Sequence, residues 1–195
     1  MDVIEFGSFY NDETQKKEKI EWEILDEDED SFFVVSKEIL TLRPFDRNGK
    51  NWGDSELRHW LNRCFYEQAF DHLEKECIRE TMLDTSDCWE ISTMEIETVD
   101  KIFLLSIDDT KKYFPEFALY FLEDEYKFSS AWWLRDEGGA GASSNVLILE
   151  NGAYVIFVGS ENIAGVRPAM RIHKNKYSLL PYELPGQISM FDQAD

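Results

Sequence analysis

The sequence has few basic residues, few cysteines and no long hydrophobic run. Its 195 residues include 40 Asp and Glu against 20 Lys and Arg, so its formal net charge at pH 7 is −20. Such an excess of negative charge repels bare nucleic acid and anionic membrane surfaces. We therefore expect no direct binding to nucleic acid. The charge either serves solubility or attracts a basic surface on a partner.

The three cysteines are Cys64, Cys77 and Cys88, an odd number without C-x-x-C spacing. This pattern predicts neither a disulfide framework nor a zinc site. No apolar run approaches the roughly 20 residues that cross a bilayer. The first residues also lack the basic and apolar regions of a signal peptide. The sequence thus predicts a cytoplasmic protein that does not enter a membrane.

Motifs of the common catalytic sites are also missing. His59, His72 and His173 lie far apart and outside metal-ligand spacing, and G-x-S-x-G, Walker A and G-x-G-x-x-G are absent. We therefore predict no cofactor, no metal and no catalytic residues. One enzymatic alternative stays open, a site assembled from scattered carboxylates such as Glu97, Asp100 or Glu150. Forty acidic residues make some close pair inevitable, so that alternative requires a cleft and a shifted pKa.

The first half of the chain predicts strands followed by two helices. Residues 20–24 alternate apolar and acidic side chains, which is typical of a strand with one buried face. Residues 26–30 form an acidic turn, and residues 32–35 form the return strand. A second helix is expected from Asp71 to about Met82, with Glu74 completing a capping box. The first helix is indicated by apolar residues at helical spacing, namely Leu57, Trp60, Leu61, Cys64 and Phe65.

The second half predicts mainly strands. Residues 101–105 and 131–135 are strand-like, and a capping box of Ser106 and Asp109 opens a short helix between them. Residues 138–144 read as a flexible stretch, Asn151-Gly152 predicts a β-hairpin, and residues 165–170 form a terminal strand. The pattern predicts one α+β domain over residues 1–175 and a C-terminal tail over residues 176–195.

The order of these motifs resembles a widespread bacterial and phage family of domains of unknown function. An I-x-F-G and W-x-x-L pair lies in residues 4–25, D-K-I-F-L-L-S in 100–106, W-W-L-R in 132–135 and G-V-R-P-A in 165–169. The helical motif W-x-x-S-x-L-R-x-W-L-N-x-x-F and its extension are matched by Trp52, Ser55, Leu57, Arg58, Trp60, Leu61, Asn62, Phe65, Tyr66, Ala69 and Phe70.

The closing half is similar to the C-type-lectin-like fold of formylglycine-generating enzymes and retroelement-diversified binding proteins. That resemblance implies mixed antiparallel sheets, two main helices in the first half and a β-rich second half. It also implies a ligand face framed by the tryptophan-rich strand and the arginine motif. The chemistry of these relatives is not implied. No cysteine follows Cys88, and the E-P-N, Q-P-D and W-N-D motifs of calcium-dependent lectins are absent.

The candidate binding residues are Trp132, Arg135 and Arg167. Neighbouring side chains on a strand point to opposite faces, so Trp132 or Trp133 should enter the core and the other should meet the surface or another layer. Tryptophan and arginine dominate interface hot spots. The alternative is that the arginines pair internally with carboxylates and hold loops together.

The C-terminal tail carries a second candidate motif. It resembles the pentapeptide that binds the bacterial sliding clamp, in which glutamine supplies hydrogen bonds and apolar side chains fill a groove. The residues concerned are Gln187, Ile188, Met190 and Phe191. The alternative is an apolar tail that docks onto its own domain.

The leading hypothesis is a non-enzymatic binding module of phage or mobile-element type that recognises a protein or peptide partner. The main alternative is an acidic inhibitor that occupies the basic, nucleic-acid-binding site of a host or defence enzyme. The charge of the chain favours that alternative. The two hypotheses differ in the salt dependence of binding.

Overall fold

The computed structural model describes residues 1–11, 14, 16–84, 97–114, 131–137, 142–149 and 152–181. Strands dominate this part of the chain, together with short helices, and the sheets are mostly antiparallel, which confirms the α+β class. The strands are β1 (Val3–Asn11), β2 (Lys16–Glu27), β3 (Ser31–Ser36), β4 (Thr41–Pro44), β5 (Ile78–Arg79), β6 (Thr81–Asp84), β7 (Glu97–Asp100), β8 (Ala131–Glu137), β9 (Ala142–Leu149), β10 (Gly152–Gly159), β11 (Ile163–Val166) and β12 (Ala169–His173). The α-helices are α1 (Glu56–Trp60), α2 (Tyr66–Ala69), α3 (His72–Cys77), α4 (Ile107–Tyr113) and α5 (Lys174–Tyr177).

The first sheet is antiparallel, with the strand order β1-β2-β3-β12-β5. The alternation predicted for residues 20–24 appears in β2, where Ile20 and Trp22 are buried. Strand β1 contains a bulge at Gly7, whose φ of 69° is the left-handed conformation that glycine tolerates. The Gly7 amide donates a hydrogen bond of 3.0 Å to Glu74, which joins this bulge to α3.

The second sheet has the order β10-β9-β8-β11-β4, and β8 and β11 lie parallel. Strands β9 and β10 form the predicted hairpin, with Gly152 opposite Leu149. At the parallel contact, Gly165 pairs with Trp132. A Cβ atom on Gly165 would lie 2.7 Å from the carbonyl oxygen of Ala131, so this close approach requires glycine.

The helix predicted from Leu57 contains a π-turn. Helix α1 begins after the N-cap Ser55, continues as a π-helix over Leu61–Phe65 and ends as α2. The prediction that Cys64 lies on the apolar stripe was wrong, because Cys64 is exposed. The extra residue in a π-turn shifts the helical phase, so Phe65 returns to the core while Cys64 turns outward.

Helix α3 is shorter than predicted. It opens with the expected capping box of Asp71 and Glu74, but it ends at Cys77 instead of near Met82. Ile78 enters strand β5 and pairs with Ile172 of β12. Sheet pairing at this point therefore overrides the helical pattern of the following residues.

Two strands predicted in the second half also differ from the structure. Leu104 and its neighbours are buried, but residues 102–105 form only an isolated bridge between Phe103 and Ala169. The predicted strand over residues 165–170 is divided between β11 and β12, which belong to different sheets. The chain crosses between the sheets at Arg167 and Pro168, and Pro168 has no N–H to place in a ladder.

Strand β9 begins earlier than expected, since residues 142–144 of the predicted flexible stretch belong to it. Residues 138–141 and Asn151 lie outside the described residues.

The described residues share one apolar core between the sheets and the helices, with Trp22, Trp52 and Trp133 among its largest fully buried side chains. Tyr177 and Leu180 also pack against this core. Packing therefore continues past residue 175, where the tail was expected to start. In the described ranges, none of the helices has both the length and the apolar character needed to cross a membrane.

Candidate functional site

A cleft of about 320 Å³ opens between the π-turn and strand β7. We call it the β7 cleft. Its lining contains three cations, two carboxylates, and His59, Asn62 and Val99. The cations are Arg58, Arg63 and Lys101, and the carboxylates are Glu80 and Asp100. Cations outnumber carboxylates here, whereas the whole chain has twice as many acidic as basic residues.

Asp100 forms the floor of the β7 cleft. Its side chain is only 1% exposed and accepts three hydrogen bonds, from Trp52 Nε1 at 3.1 Å, Arg58 Nε at 2.7 Å and Thr98 Oγ1 at 2.8 Å. The Arg58 Nη1 atom also donates to the carbonyl oxygen of Gly53 at 2.6 Å. These bonds hold the Arg58 guanidinium in one position, so its orientation is set before any ligand arrives.

Asn62, on the π-turn, forms the wall of the cleft. Its Nδ2 donates to the carbonyl oxygens of Arg58 and Ile102 at 3.2 and 2.8 Å. Its Oδ1 accepts from the amides of Lys101 and Ile102 at 2.9 and 3.1 Å. One side chain therefore joins the helix to the segment that follows β7. Because π-turns occur frequently at functional sites, this feature draws attention to the cleft.

The rim of the cleft combines positive charge, an aromatic ring and apolar surface. Arg63 is exposed, and Lys101 Nζ lies 4.7 Å from the centroid of the Tyr66 ring. Met82 of β6 and Val99 of β7 are directly opposite each other, and they are 70% and 54% exposed. The inner face of this two-stranded ribbon carries Leu83 and Thr98, which are buried.

His59 and Asp100, which line the cleft, are both held by hydrogen bonds. His59 Nδ1 lies 2.8 Å from the carbonyl oxygen of Ser55, which can only accept, so Nδ1 carries the proton. Asp100 is engaged by its three donors, and Glu97 lies exposed on β7 opposite Asp84. Glu150 lies outside the described residues. Within the described ranges, no three His, Cys, Asp or Glu side chains are grouped so that they could hold a metal ion.

The predicted binding residues Trp132 and Arg167 are in contact, but both are buried. The Arg167 guanidinium lies 4.7 Å from the Trp132 ring centroid. It donates to the carbonyl oxygen of Ser36 at 2.9 Å and pairs with Glu23 at 3.3 Å. Burial lowers the pKa of Arg167, and the carboxylate of Glu23 opposes that shift. These contacts tie the crossing between the two sheets to β2 and β3.

The third predicted residue, Arg135, joins β8 to α4. Its Nη1 donates to the carbonyl oxygen of Leu104 at 2.9 Å and to Asp109 at 2.6 Å. Burial by itself favours the neutral form of Asp109. The charge of Arg135 and the hydrogen bonds from Arg135 and Ser106 outweigh it and lower the pKa of Asp109. Both arginines thus make the internal ion pairs of the alternative interpretation, and their role in partner binding stays a prediction.

Trp133 is buried as well, so both tryptophans meet protein rather than solvent. Its Nε1 donates to the carbonyl oxygen of Arg43 at 2.7 Å, and its ring lies against Phe45. The sheet is therefore covered on both faces at β8. Of the two arrangements expected for the second tryptophan, contact with the surface or contact with another layer, the structure has contact with another layer.

No sequence motif pointed to the β7 cleft. The local signal that could have indicated it is the alternation in β7, where Thr98 and Asp100 are buried and Glu97 and Val99 are exposed. The association of Arg58 with Asp100 spans 42 positions and has no local signal. The tail residues Gln187, Ile188, Met190 and Phe191 lie outside the described residues.

Comparison with known proteins gives one family. No curated protein and no solved structure shows significant similarity to this chain. A family model described as "Domain of unknown function (DUF6273)" matches residues 29–174, which is 146 of the 195 residues. The matched range contains the helical motif, W-W-L-R and G-V-R-P-A, whereas the motif pair in residues 4–25 precedes it. The chain therefore belongs to the DUF6273 family, an uncharacterised family of domains of unknown function.

Proposed function

We propose that this protein is a non-enzymatic binding module that recognises a protein or peptide segment at the β7 cleft. The observation that carries the proposal is the exposed Met82–Val99 pair, because Val99 lines the cleft together with the cations Arg63 and Lys101. Apolar side chains beside arginine and an aromatic ring are typical of interaction hot spots. The matching ligand is a segment with an apolar anchor and a nearby carboxylate.

The strand arrangement supports an extended ligand. Among the described strands, β6 and β7 pair only with each other, so each has a second edge of backbone N–H and C=O groups. A peptide in strand conformation can add to such an edge, and alternate side chains then reach one face. On that face, an apolar side chain would contact Val99, and a neighbouring carboxylate would reach Lys101.

The fixed cations at the cleft support specificity. Arg58 is held by Asp100 and Gly53, and Lys101 is held over the Tyr66 ring. Because these protein side chains are already ordered, they lose less conformational entropy when a ligand binds.

A C-type-lectin-like fold and an origin in phages or mobile elements are part of the same proposal. The fold is supported by the placement of W-W-L-R in β8 and of G-V-R-P-A across the junction of β11 and β12, next to each other in space. The origin rests on the resemblance of the motif order to a bacterial and phage family. In this arrangement Trp132 and Arg167 support the framework near the ligand face from within, and the surface contacts fall to other residues.

The experiment is to select peptides that bind the full chain from a displayed random library. The peptides have about 12 residues, a length that matches an added strand and its flanks. We expect enriched peptides to pair apolar with acidic residues. Met82→Ser and Lys101→Glu should each weaken the best peptide at least about tenfold. Leu42→Ser and Lys37→Glu are matched controls, because Leu42 is 57% exposed and Lys37 is exposed elsewhere.

Equal loss in the control variants, or peptides without acidic residues, would place binding outside the β7 cleft. Arg167→Lys keeps the charge but loses the planar fork of guanidinium hydrogen bonds. If that variant folds and loses peptide binding while Met82→Ser retains it, the ligand face lies at Trp132 and Arg167 instead.

A second candidate function, the acidic inhibitor, is favoured by the net charge of −20 and by the exposed acidic turn at residues 26–30. Such an inhibitor would occupy the basic nucleic-acid site of a host or defence enzyme. Its binding should weaken steeply as salt rises, because exposed charges are screened beyond about 10 Å at 0.1 M ionic strength. An apolar peptide contact at Met82 and Val99 should change little over the same range.

The tail supports a narrower proposal, an interaction with the bacterial sliding clamp through Gln187, Ile188, Met190 and Phe191. Purified clamp should bind the full chain and not a variant with Ile188, Met190 and Phe191 replaced by serine. Binding by both chains, or by neither, would remove the tail from the proposal and leave the β7 cleft proposal unchanged.

A further inference from the structure

A second cleft, of about 420 Å³, lies where β5, β12 and the short helix α5 meet. We call it the His173 cleft. Its lining is Asp30, Arg79, His173, Asn175 and Lys176. Two permanently charged cations and an imidazole thus face one carboxylate, in a chain whose overall charge is strongly negative.

The sheet register concentrates positive charge beside this cleft. Arg79 of β5 lies directly opposite Arg171 of β12 in an antiparallel pair, so the two side chains share one face of the sheet. His173 is two residues further along β12 and lies on the same face. Ile78 and Ile172 form the next pair, and both are buried on the other face. Like charges in opposite register destabilise a sheet unless another charge compensates them.

Two nearby cations are compensated within the fold. Arg171 Nη1 lies 3.7 Å from Asp28 Oδ2, and its guanidinium lies over the Phe33 ring. Lys174 Nζ lies 2.9 Å from Glu27 Oε2. Glu27 is the last residue of β2 and Asp28 follows it in the turn to β3, so this end of the hairpin neutralises one side of the basic group.

Arg79 and Lys176 are not compensated in this way. Lys176 Nζ donates to the backbone carbonyl oxygen of Glu76 at 2.9 Å, which carries no formal charge. In the part of the chain that the structure describes, Arg79 has no carboxylate within ion-pair distance. The two cations that face the His173 cleft are therefore the ones without an ionic partner there.

The imidazole at the centre reports the same positive field. Burial lowers the pKa of His173 below its ordinary value, and the charges of Lys176 and Arg79 lower it further. Asp30 and Asp28 act in the opposite direction but do not reverse the shift. An anion that bound between these groups would relieve the repulsion and favour the protonated imidazole.

We propose that the His173 cleft binds a phosphate monoester, with Arg79, Lys176 and His173 on the phosphate group. Arginine offers paired N–H donors that match phosphate oxygens, and lysine adds a point charge. The volume of the cleft leaves room for the organic part of the ester. Asp30 and the Asn175 amide lie in the lining, where they can accept hydrogen bonds from a hydroxyl group of that part.

The overall charge restricts the size of this ligand. A long polyanion such as a nucleic acid would meet the negative surface beyond the cleft, whereas a small monoester places its charge only among the cations. This site is separate from the β7 cleft, and its proposal does not depend on the binding of a peptide there.

The test is a titration of the full chain with glycerol 3-phosphate, followed by NMR through the imidazole signals of the three histidines. We expect a saturable shift of the His173 signal, whose assignment comes from a His173→Gln variant, and a raised pKa of His173 in the bound state. The groups that set this pKa besides the ligand are Arg79, Lys176, Asp30 and Asp28. The signals of His59 and His72 should not move.

The variants give the decisive comparison. Arg79→Gln and Lys176→Gln should each weaken binding of glycerol 3-phosphate at least about tenfold, as expected for loss of a charge-assisted contact. Lys174→Gln is the matched control, since Lys174 is close by but already paired with Glu27, and it should bind as the wild type does. All three positions are on the surface or half-buried, and circular dichroism verifies that each variant is folded.

Three results would overturn the proposal. One is the absence of a saturable His173 shift up to about 10 mM ligand, a concentration well above the dissociation constant of a specific site. Another is equal weakening in Lys174→Gln, which would indicate a diffuse effect of charge. The third is equally tight binding of inorganic phosphate, which would show that the organic group is not recognised.

Discussion

Replacing Asp100 with alanine should destabilise the protein more than any surface carboxylate change, because three side chains donate hydrogen bonds to this one carboxylate. Trp52 is buried, so its indole N–H would lose its partner without access to water, which costs about 1–3 kcal/mol. Arg58, whose side chain is 22% exposed, would lose its ion pair. Removing one partner of a buried pair costs about 3–5 kcal/mol, and the partial exposure of Arg58 places the total near 4 kcal/mol.

Urea unfolding followed by tryptophan fluorescence and far-ultraviolet circular dichroism measures this loss. With a urea dependence of about 2 kcal/mol per molar, the midpoint should fall by about 2 M without a change in slope. Glu21→Ala is the control, since Glu21 is exposed and its ion pair among the described residues is with Lys37 at the surface, and surface pairs contribute little. Its midpoint should stay within error of the wild type.

A double-mutant cycle with Arg58→Met separates the ion pair from the other two bonds. The combined variant should be more stable than the sum of the two single losses predicts, by at least about 1 kcal/mol, because the second change removes a charge already left unpaired. A loss below about 1 kcal/mol in Asp100→Ala would refute the view that Asp100 organises the floor of the β7 cleft.

The remaining predictions concern other features of the fold. The pKa of Asp109 is lowered in the folded state from its ordinary value of 3.8, so its contribution to stability is present above that value and is lost as the pH falls through the lower folded value. Urea unfolding should therefore show Asp109→Asn less stable than wild type at pH 7, and this difference in stability should vanish in strong acid. A stability difference that stays constant with pH would contradict this. Gly7→Ala should lower the free energy of unfolding by about 1–3 kcal/mol, since the φ of residue 7 is 69° and the new Cβ would lie 2.6 Å from the Phe70 ring. An unchanged melting temperature in calorimetry would show that alanine is not strained at this position. Iodoacetamide should label Cys64 well before Cys77 in peptide mass mapping, because Cys64 is exposed whereas burial raises the pKa of the Cys77 thiol. Equal rates of alkylation at the two thiols would show that the π-turn does not turn Cys64 outward.

Much of the local structure could be predicted from the sequence. Both capping boxes, at Asp71 and at Ser106, are present in the structure, because each depends on two side chains three positions apart. The hairpin at Gly152 and the alternation in β2 follow from equally local rules. The length of α3 and the phase of Cys64 could not be predicted, since a pairing with Ile172 and a π-turn override the local pattern.

The candidate sites show the same division. The sequence drew attention to Trp132, Arg135 and Arg167 because of their residue types, but it carried no information on burial. The structure places these side chains inside the molecule, where the carboxylates of Glu23 and Asp109 meet the two arginines. Residues of less conspicuous type, such as Val99 and Lys101, form the accessible surface at the β7 cleft.

The sequence by itself determined the composition, the charge, the strand and helix signals and the absence of the common catalytic motifs. Only the tertiary structure decided which charges are neutralised and which remain available to a ligand. Arg58 and Asp100 are 42 positions apart, and Arg79 and Arg171 are 92 apart, yet each pair is in contact or in register. The physical reason is that electrostatic partners are chosen by sheet register and packing, which depend on burial of the whole core and not on neighbouring residues.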